Sequence, residues 1–204
     1  MAQLVVDNLR MYYRTRKGQV RAVDGVSFTL EPGRALGIVG ESGCGKSSLG
    51  LTLLRLLPPN AEVVGGSIRL GGQELLNMDD ETFRKDVRWT KIAMVFQGAM
   101  NALNPVLTVG SQIAEAILAH EKVSKEEAER RAKGLLEMVG INPARYNHYP
   151  HEFSGGMKQR AVIAMALACN PQVIIADEPT TALDVMVQAQ VLKAIAELRE
   201  RLNL

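Results

Sequence analysis

Ala35-Leu-Gly-Ile-Val-Gly40-Glu-Ser-Gly-Cys-Gly-Lys46-Ser47-Ser48 is the stretch that decides the fold of this chain. An apolar run, 35–39, leads without a break into a glycine-rich loop. Residues 46–57 then carry leucines at helical spacing until Pro58-Pro59 stops them. Gly40 to Ser47 is a complete GxxxxGK[ST] arrangement in the strand–loop–helix context it requires. The glycines let the backbone curl so that successive N–H groups point at phosphate oxygens, and the helix opening near Lys46 adds its positive end. Lys46 is expected to reach the β- and γ-phosphates of ATP, and the Ser47 hydroxyl to ligate Mg²⁺. Gly40, Glu41, Ser42, Gly43, Cys44, Gly45 and Ser48 complete the expected ATP contacts. An accidental glycine-rich turn is the plain alternative, and the strand and helix on either side weigh against it.

Outward from this loop, residues 4–8 and 22–30 alternate as strands do, and Glu31-Pro32-Gly33 forms a turn before the apolar run. Gly65-Gly66 and Gly71-Gly72 bracket a short expected strand, 67–70, and 91–96 is another. From about 109 to 139 the pattern is helical, with Ser124 and Glu127 spaced as a capping box and Gly140 as a C-cap. Residues 156–169 read as a helix, 173–176 as a buried strand and 185–202 as a helix. The order predicts an α/β fold: a parallel core sheet covered by helices, an antiparallel β flank and an inserted helical subdomain at about 98–165.

Composition narrows the class. The 204 residues suit one domain, or one with an inserted subdomain. Hydrophobic residues make up 47% and charged residues 23%, enough for an ordinary core. The net charge of +2 argues for neither nucleic acid nor an acidic membrane surface. Cys44 and Cys169 lie far apart and form no CxxC pair, which disfavours a disulfide framework or a zinc site. The first residues carry polar side chains inside a short apolar run, unlike a signal peptide. No apolar stretch approaches the roughly 20 residues that span a bilayer. Work at a membrane would therefore require docking onto another protein.

Two further stretches carry chemistry. Val173-Ile-Ile-Ala-Asp177-Glu178 is an apolar run that delivers two carboxylates at a strand end, where ligands bind in such sheets. Asp177 is expected to hold Mg²⁺ through water and Glu178 to polarise the attacking water. A solvated acidic pair is the alternative for these two residues alone. Phe153-Ser-Gly-Gly-Met-Lys-Gln-Arg160 opens a helix with a serine and two glycines, an arrangement of N–H groups and a hydroxyl suited to an anion. Read alone, it is equally a serine N-cap.

Together these motifs resemble the ABC ATPases, a family with a RecA-like P-loop core. There the LSGGQ signature grips the γ-phosphate held by a partner subunit, so that two ATP molecules are sandwiched between two such domains. Phe153 and Met157 replace the ends of that signature, while Ser154, Gly155 and Gly156 are intact. The resemblance implies that Gln97 is the Q-loop glutamine sensing Mg²⁺ and that Tyr13 stacks on adenine, with Tyr12 the neighbouring candidate. It also implies that Ala182-Leu183-Asp184 is a D-loop at the dimer interface. GAMNALNPVLTVGSQIAEAI after Gln97, YPHEFSGGMKQR and ADEPTTALDVMVQAQVL look like the oligopeptide/dipeptide/nickel importer branch. That branch implies a peripheral ATPase at the cytoplasmic face of the membrane, taking up short peptides or a related solute. Its partners would be a second ATPase subunit, identical or not, two membrane permeases contacted from Asn104-Pro105 onward, and indirectly an extracytoplasmic substrate-binding protein. Nucleic acid is not among the expected partners.

One departure stands out. The family carries a switch histidine on a strand about thirty-odd residues after the catalytic glutamate. The chain ends at Leu204, and His120, His148 and His151 all precede the acidic strand. Residues 1–204 are accordingly expected to be a nucleotide-binding domain cut short before that strand, with poor hydrolysis as a consequence. The three histidines are expected on the surface or loops of the helical subdomain. Cys44 is a small residue tolerated in the loop, or a thiol whose alkylation disturbs ATP binding. The competing readings are a soluble ABC ATPase of DNA repair or translation, and a small-molecule kinase. The first usually has a long coiled coil before the signature or two cassettes in one chain, and the second leaves Ser154-Gly155-Gly156 unexplained.

Overall fold

The structure, a computed structural model, describes residues 2–98, 102–181 and 183–204. These fall into two compact units, 1–86 and 87–204.

The first unit is built on an antiparallel sheet of order β2-β1-β3-β4. Strand β1 (Leu4–Thr15) turns tightly into β2 (Gly18–Leu30) and pairs on its other side with β3 (Ala61–Leu70), while β4 (Gln73–Glu74) forms the far edge. Strand β1 runs well past the expected stop at residue 8. Leu4 and Val6 are buried, then Leu9 and Met11, so the buried phase flips from even to odd positions. A bulge at Asn8, where φ is 47°, absorbs the extra residue and shifts the register between Val6 and Leu9. Gly65-Gly66 does not bracket a strand but lies inside β3. Gly66 (φ 95°) must be glycine, because a Cβ there would lie 2.5 Å from the Leu9 Cα at the same bulge.

Helix α1 (Lys46–Leu53) is shorter than the leucine pattern suggested. Its end is tied to α2 (Asp80–Asp86), which the sequence reading missed, through Arg55. That side chain pairs with Asp80, donates to Met78 O at 2.6 Å and lies over the Phe83 ring. The largest correction concerns residues 35–39, which form no strand and are exposed, Val39 at 95%. A buried strand needs a bonded neighbour on each side, and among the described residues the antiparallel sheet supplies none.

The second unit pairs β5 (Ile92–Val95) with β6 (Val173–Ala176) in parallel. The helical stretch expected over 109–139 is two helices, α3 (Val109–His120) and α4 (Lys125–Met138), capped by Thr108 and Ser124. Ser124 accepts from the Glu127 N–H as expected, but the Glu127 carboxylate is taken by Arg130. Helix α5 (Gly155–Ala166) packs with α3 and α4 around a core in which Ile113, Ile117, Leu136 and Ala161 are fully buried. Arg131 fastens these helices, donating to Glu121 at the end of α3 and to Ala168 O beyond α5, both at 2.9 Å. Helix α6 (Val185–Leu202) follows β6.

Candidate functional site

The expected site residues are divided between the two units. In the first, the phosphate loop turns on Gly43 (φ 80°) and Gly45 (φ 100°), the latter serving as N-cap of α1. Gly45 lies so close to β2 that a Cβ would meet Ala22 O at 2.0 Å. The Lys46 ammonium folds back over the loop and donates to Gly40 O at 2.8 Å and Glu41 O at 2.7 Å, with the exposed Cys44 thiol 3.8 Å away. A cation held by two main-chain carbonyls and a thiol at a helix start is poised for a phosphate, whose charge outcompetes these dipoles. Ser42, Gly43 and Ser47 are exposed around it.

Of the two tyrosines, Tyr13 turns to this loop: its hydroxyl lies 3.0 Å from Ser48 Oγ on the first turn of α1. Tyr12 instead donates to Asp24 Oδ1 at 2.7 Å, a bond that raises the tyrosine pKa and lowers that of Asp24.

In the second unit, parallel pairing brings the two strand ends together. The register sets Val95 opposite Ala176, and the Asp177 N–H continues the ladder to Val95 O at 2.9 Å. Gln97 and Glu178 each lie two residues beyond that pair, and Gln97 Nε2 donates to Glu178 Oε2 at 2.7 Å. Glu178 takes a left-handed backbone, φ 45°, uncommon for a residue with a Cβ. Thr181 closes that turn with its N–H on Glu178 O at 3.1 Å, and its hydroxyl donates to Glu178 Oε2 at 2.9 Å. Thr181 went unnoticed in the sequence, where its only signal is a hydroxyl three residues after an acid. Gln188 was also missed; its amide donates to Thr180 O and Leu183 O, holding the loop to α6. Asp184 is the N-cap of α6, accepting from the Val187 N–H at 3.0 Å, and is exposed. Ala182 of the expected D-loop lies outside the described residues, as do Ala99, Met100 and Asn101 of the stretch after Gln97.

Ser154 caps α5 by accepting from the Met157 N–H at 3.3 Å, with Gly155 exposed beside it. Gly156 is buried against α6, where a Cβ would meet Val187 Cγ1 at 2.5 Å. The first turn of α5 thus rests on the first turn of α6. The loop from Asn104 is held by the buried Gln112 side chain, which accepts from Asn104 N at 2.8 Å and donates to Asn104 O at 3.0 Å. Val106 and Leu107 stand exposed at its tip. His120, the half-buried last residue of α3, lies against Trp89, His148 lies beside Glu152, and His151 is stacked on Tyr149. Among the described residues no three His, Cys, Asp or Glu side chains gather as a metal site. Of the residues expected at Mg²⁺, Ser47 lies in the first unit, and Gln97 and Asp177 lie in the second.

Residues 23–181 match the family model described as ABC transporter. The chain is 49% identical to the dipeptide transport ATP-binding protein DppD of Lactococcus lactis, over 98% of this chain and 58% of that protein. It is 47% identical to the oligopeptide transport ATP-binding protein OppD of Bacillus subtilis, over 98% of this chain and 56% of that one. It thus spans less than two thirds of the length of these relatives. Among solved structures, the dimeric ATP-binding cassette MJ0796 in a post-hydrolysis state with ADP and Pi superposes with a TM-score of 0.83. The identity is 30%, covering 98% of this chain and 84% of that one. With the family model matching well over half of its residues, the chain belongs to the ABC transporter family.

Proposed function

We propose that this chain is the ATP-binding and ATP-hydrolysing subunit of an importer that energises uptake of short peptides, or a related small solute, through a membrane permease. The observation that carries the hydrolytic reading is Glu178, a carboxylate in a left-handed turn oriented by Gln97 at the shared end of two parallel strands. The peptide reading is supported by likeness along 98% of the chain to ATP-binding proteins of dipeptide and oligopeptide transport.

In this reading the loop from Gly40 to Ser48 cradles the phosphates, and Lys46 leaves its carbonyl partners for the β- and γ-phosphate oxygens. Tyr13 stacks on adenine, exchanging its Ser48 contact for the ring. Ser47 of the first unit, and Gln97 and Asp177 of the second, would offer oxygens to Mg²⁺, which would neutralise phosphate charge. Because the Gln97 amide nitrogen is engaged by Glu178, its oxygen is the atom left for the cation. Glu178 accepts a hydrogen bond from water and takes up its proton as the oxygen attacks the γ-phosphorus, while the bond from that phosphorus to the bridging oxygen breaks and ADP leaves with the electron pair.

Ser154, Gly155 and Gly156 contact ATP held by a second ATPase subunit, and Asp184 lies at that dimer interface. The helical subdomain at about 98–165 faces two permease subunits through the Val106-Leu107 tip, and a substrate-binding protein delivers cargo on the outer side. Among the described residues no helix is long and apolar enough to cross a membrane, and the proposed position is peripheral, at the cytoplasmic face.

The test is ATP turnover and peptide uptake by the full-length protein reconstituted with its permease. Lys46→Ala is expected to abolish ATP binding. Glu178→Gln is expected to keep binding, trap a closed dimer and lower kcat by roughly 10²–10⁴-fold. Undiminished turnover in Glu178→Gln overturns the mechanism, and ATP-dependent uptake indifferent to short peptides overturns the cargo.

A further inference from the structure

We propose that Thr181 is a positioning residue for the water-activating carboxylate: its hydroxyl, with the Gln97 amide, occupies Glu178 Oε2 and leaves Oε1 to accept from the attacking water. The inference rests on the ATPase reading above and deepens it by saying which oxygen of Glu178 works and what holds the other.

An ionised carboxylate accepts only, with about two lone-pair positions on each oxygen. The Thr181 hydroxyl must therefore be the donor in its 2.9 Å contact with Oε2, and Gln97 Nε2 is the second donor on that same atom at 2.7 Å. Two donors fill Oε2. They arrive from different elements, one from just beyond β5 and one from the loop after β6, so between them they restrict rotation of the carboxylate about its last bond. Thr181 is exposed and is not placed by its own packing. It is placed by the turn, through its N–H on Glu178 O, and by Gln188 of α6, whose amide holds Thr180 O at 3.3 Å and Leu183 O at 3.1 Å on either side of it. Across this turn, in which Glu178 has a left-handed backbone, the Thr181 hydroxyl reaches Glu178 Oε2. A hydroxyl is required there, and a methyl of the same shape cannot replace it.

The test compares Thr181→Val and Thr181→Ser in the full-length protein, reading kcat, KM for ATP and thermal midpoint together. Thr181→Val keeps shape and loses the donor, so kcat is expected to fall about tenfold, the usual consequence of losing one hydrogen bond to a charged group. KM for ATP and the midpoint should hold, and Thr181→Ser should recover most of the turnover. In a Glu178→Gln background, Thr181→Val should have no further effect on the residual rate. Thr181→Val with full kcat overturns the proposal, and so do equal losses in Val and Ser accompanied by a lower midpoint, which mark a merely structural turn. Turnover insensitive to Glu178→Gln overturns the ATPase reading and this inference together. Glu178-dependent turnover indifferent to Thr181→Val overturns this inference alone.

Discussion

Gln97 and Glu178 lie 81 positions apart in the chain and meet at 2.7 Å, because each is the second residue beyond the same rung of a parallel ladder. In parallel strands both chains leave the sheet at the same end, so a polar residue at equal depth on each arrives at one point. The ladder runs one residue further through the Asp177 N–H, and the chain then turns at Glu178. The placement of the carboxylate is therefore backbone geometry, with the two side-chain donors as its trim.

Replacing Gln97 tests that trim. Gln97→Ala removes one donor from Glu178 Oε2 and the oxygen assigned to Mg²⁺, so kcat should fall about tenfold or more and half-saturation by Mg²⁺ should rise. Gln97→Glu sets a second carboxylate where a donor stood and should lose more turnover than alanine. A steady-state titration of ATP and Mg²⁺ reads both, and a Gln97→Glu variant as active as the parent contradicts the arrangement.

Gly45→Ala should be destabilising as well as inactivating. The residue has φ 100° and its new Cβ would lie 2.0 Å from Ala22 O, a backbone atom that cannot swing aside. A left-handed non-glycine costs about 1–3 kcal/mol before any clash. Urea unfolding should register a loss at least that large, and ATP binding should vanish with the loop geometry.

The contact between Gly156 and Val187 predicts a compensating pair. Gly156→Ala should push α5 from α6 and cost about 1–3 kcal/mol by overpacking. Val187→Ala opens the space that the new methyl needs, so the double variant should unfold later than Gly156→Ala alone. Strict additivity of the two losses would show that the contact is not the cause.

Stability should also depend on acid through Glu121. The hydrogen bonds and charge of Arg131 lower its pKa from the ordinary 4.5. A depressed carboxylate contributes stability above its unfolded value and loses it as pH falls from there through the folded value. The thermal midpoint should therefore decline below about pH 4.5, and Glu121→Gln should start lower near neutrality and flatten that part of the decline. Identical acid profiles for the two proteins would place the titration elsewhere.

Thiol labelling separates the cysteines. Burial pushes the Cys169 thiol up to about 11, whereas Cys44 is exposed in the phosphate loop. In the native protein iodoacetamide should modify Cys44 alone, with Cys169 reacting only in denaturant. Prior binding of ATP should slow the first reaction.

Much of this was legible in residue order. The phosphate loop, the acidic strand end and the serine-capped α5 each depend on residues adjacent in sequence, and glycine, serine and carboxylate at fixed spacing leave few local geometries. The strand β1 was legible only to Asn8, because the bulge there inverts the phase of burial and a two-residue period appears to end. Residues 35–39 were apolar enough to read as a strand, yet a strand exists only when a neighbour bonds to it.

By itself, then, the sequence determined the local chemistry: which turns need glycine, which helices are capped, and where carboxylates and an ammonium are offered. Only the tertiary structure decided which of these groups meet. The parallel register of β5 and β6 joins Gln97 to Glu178, the turn brings Thr181 to the same oxygen, and the fold of β1 against α1 sets the Tyr13 hydroxyl beside Ser48. The physical reason is that spacing along a chain constrains neighbours within a turn or two, whereas a hydrogen bond across 81 positions depends on register, which is a property of the packed sheet.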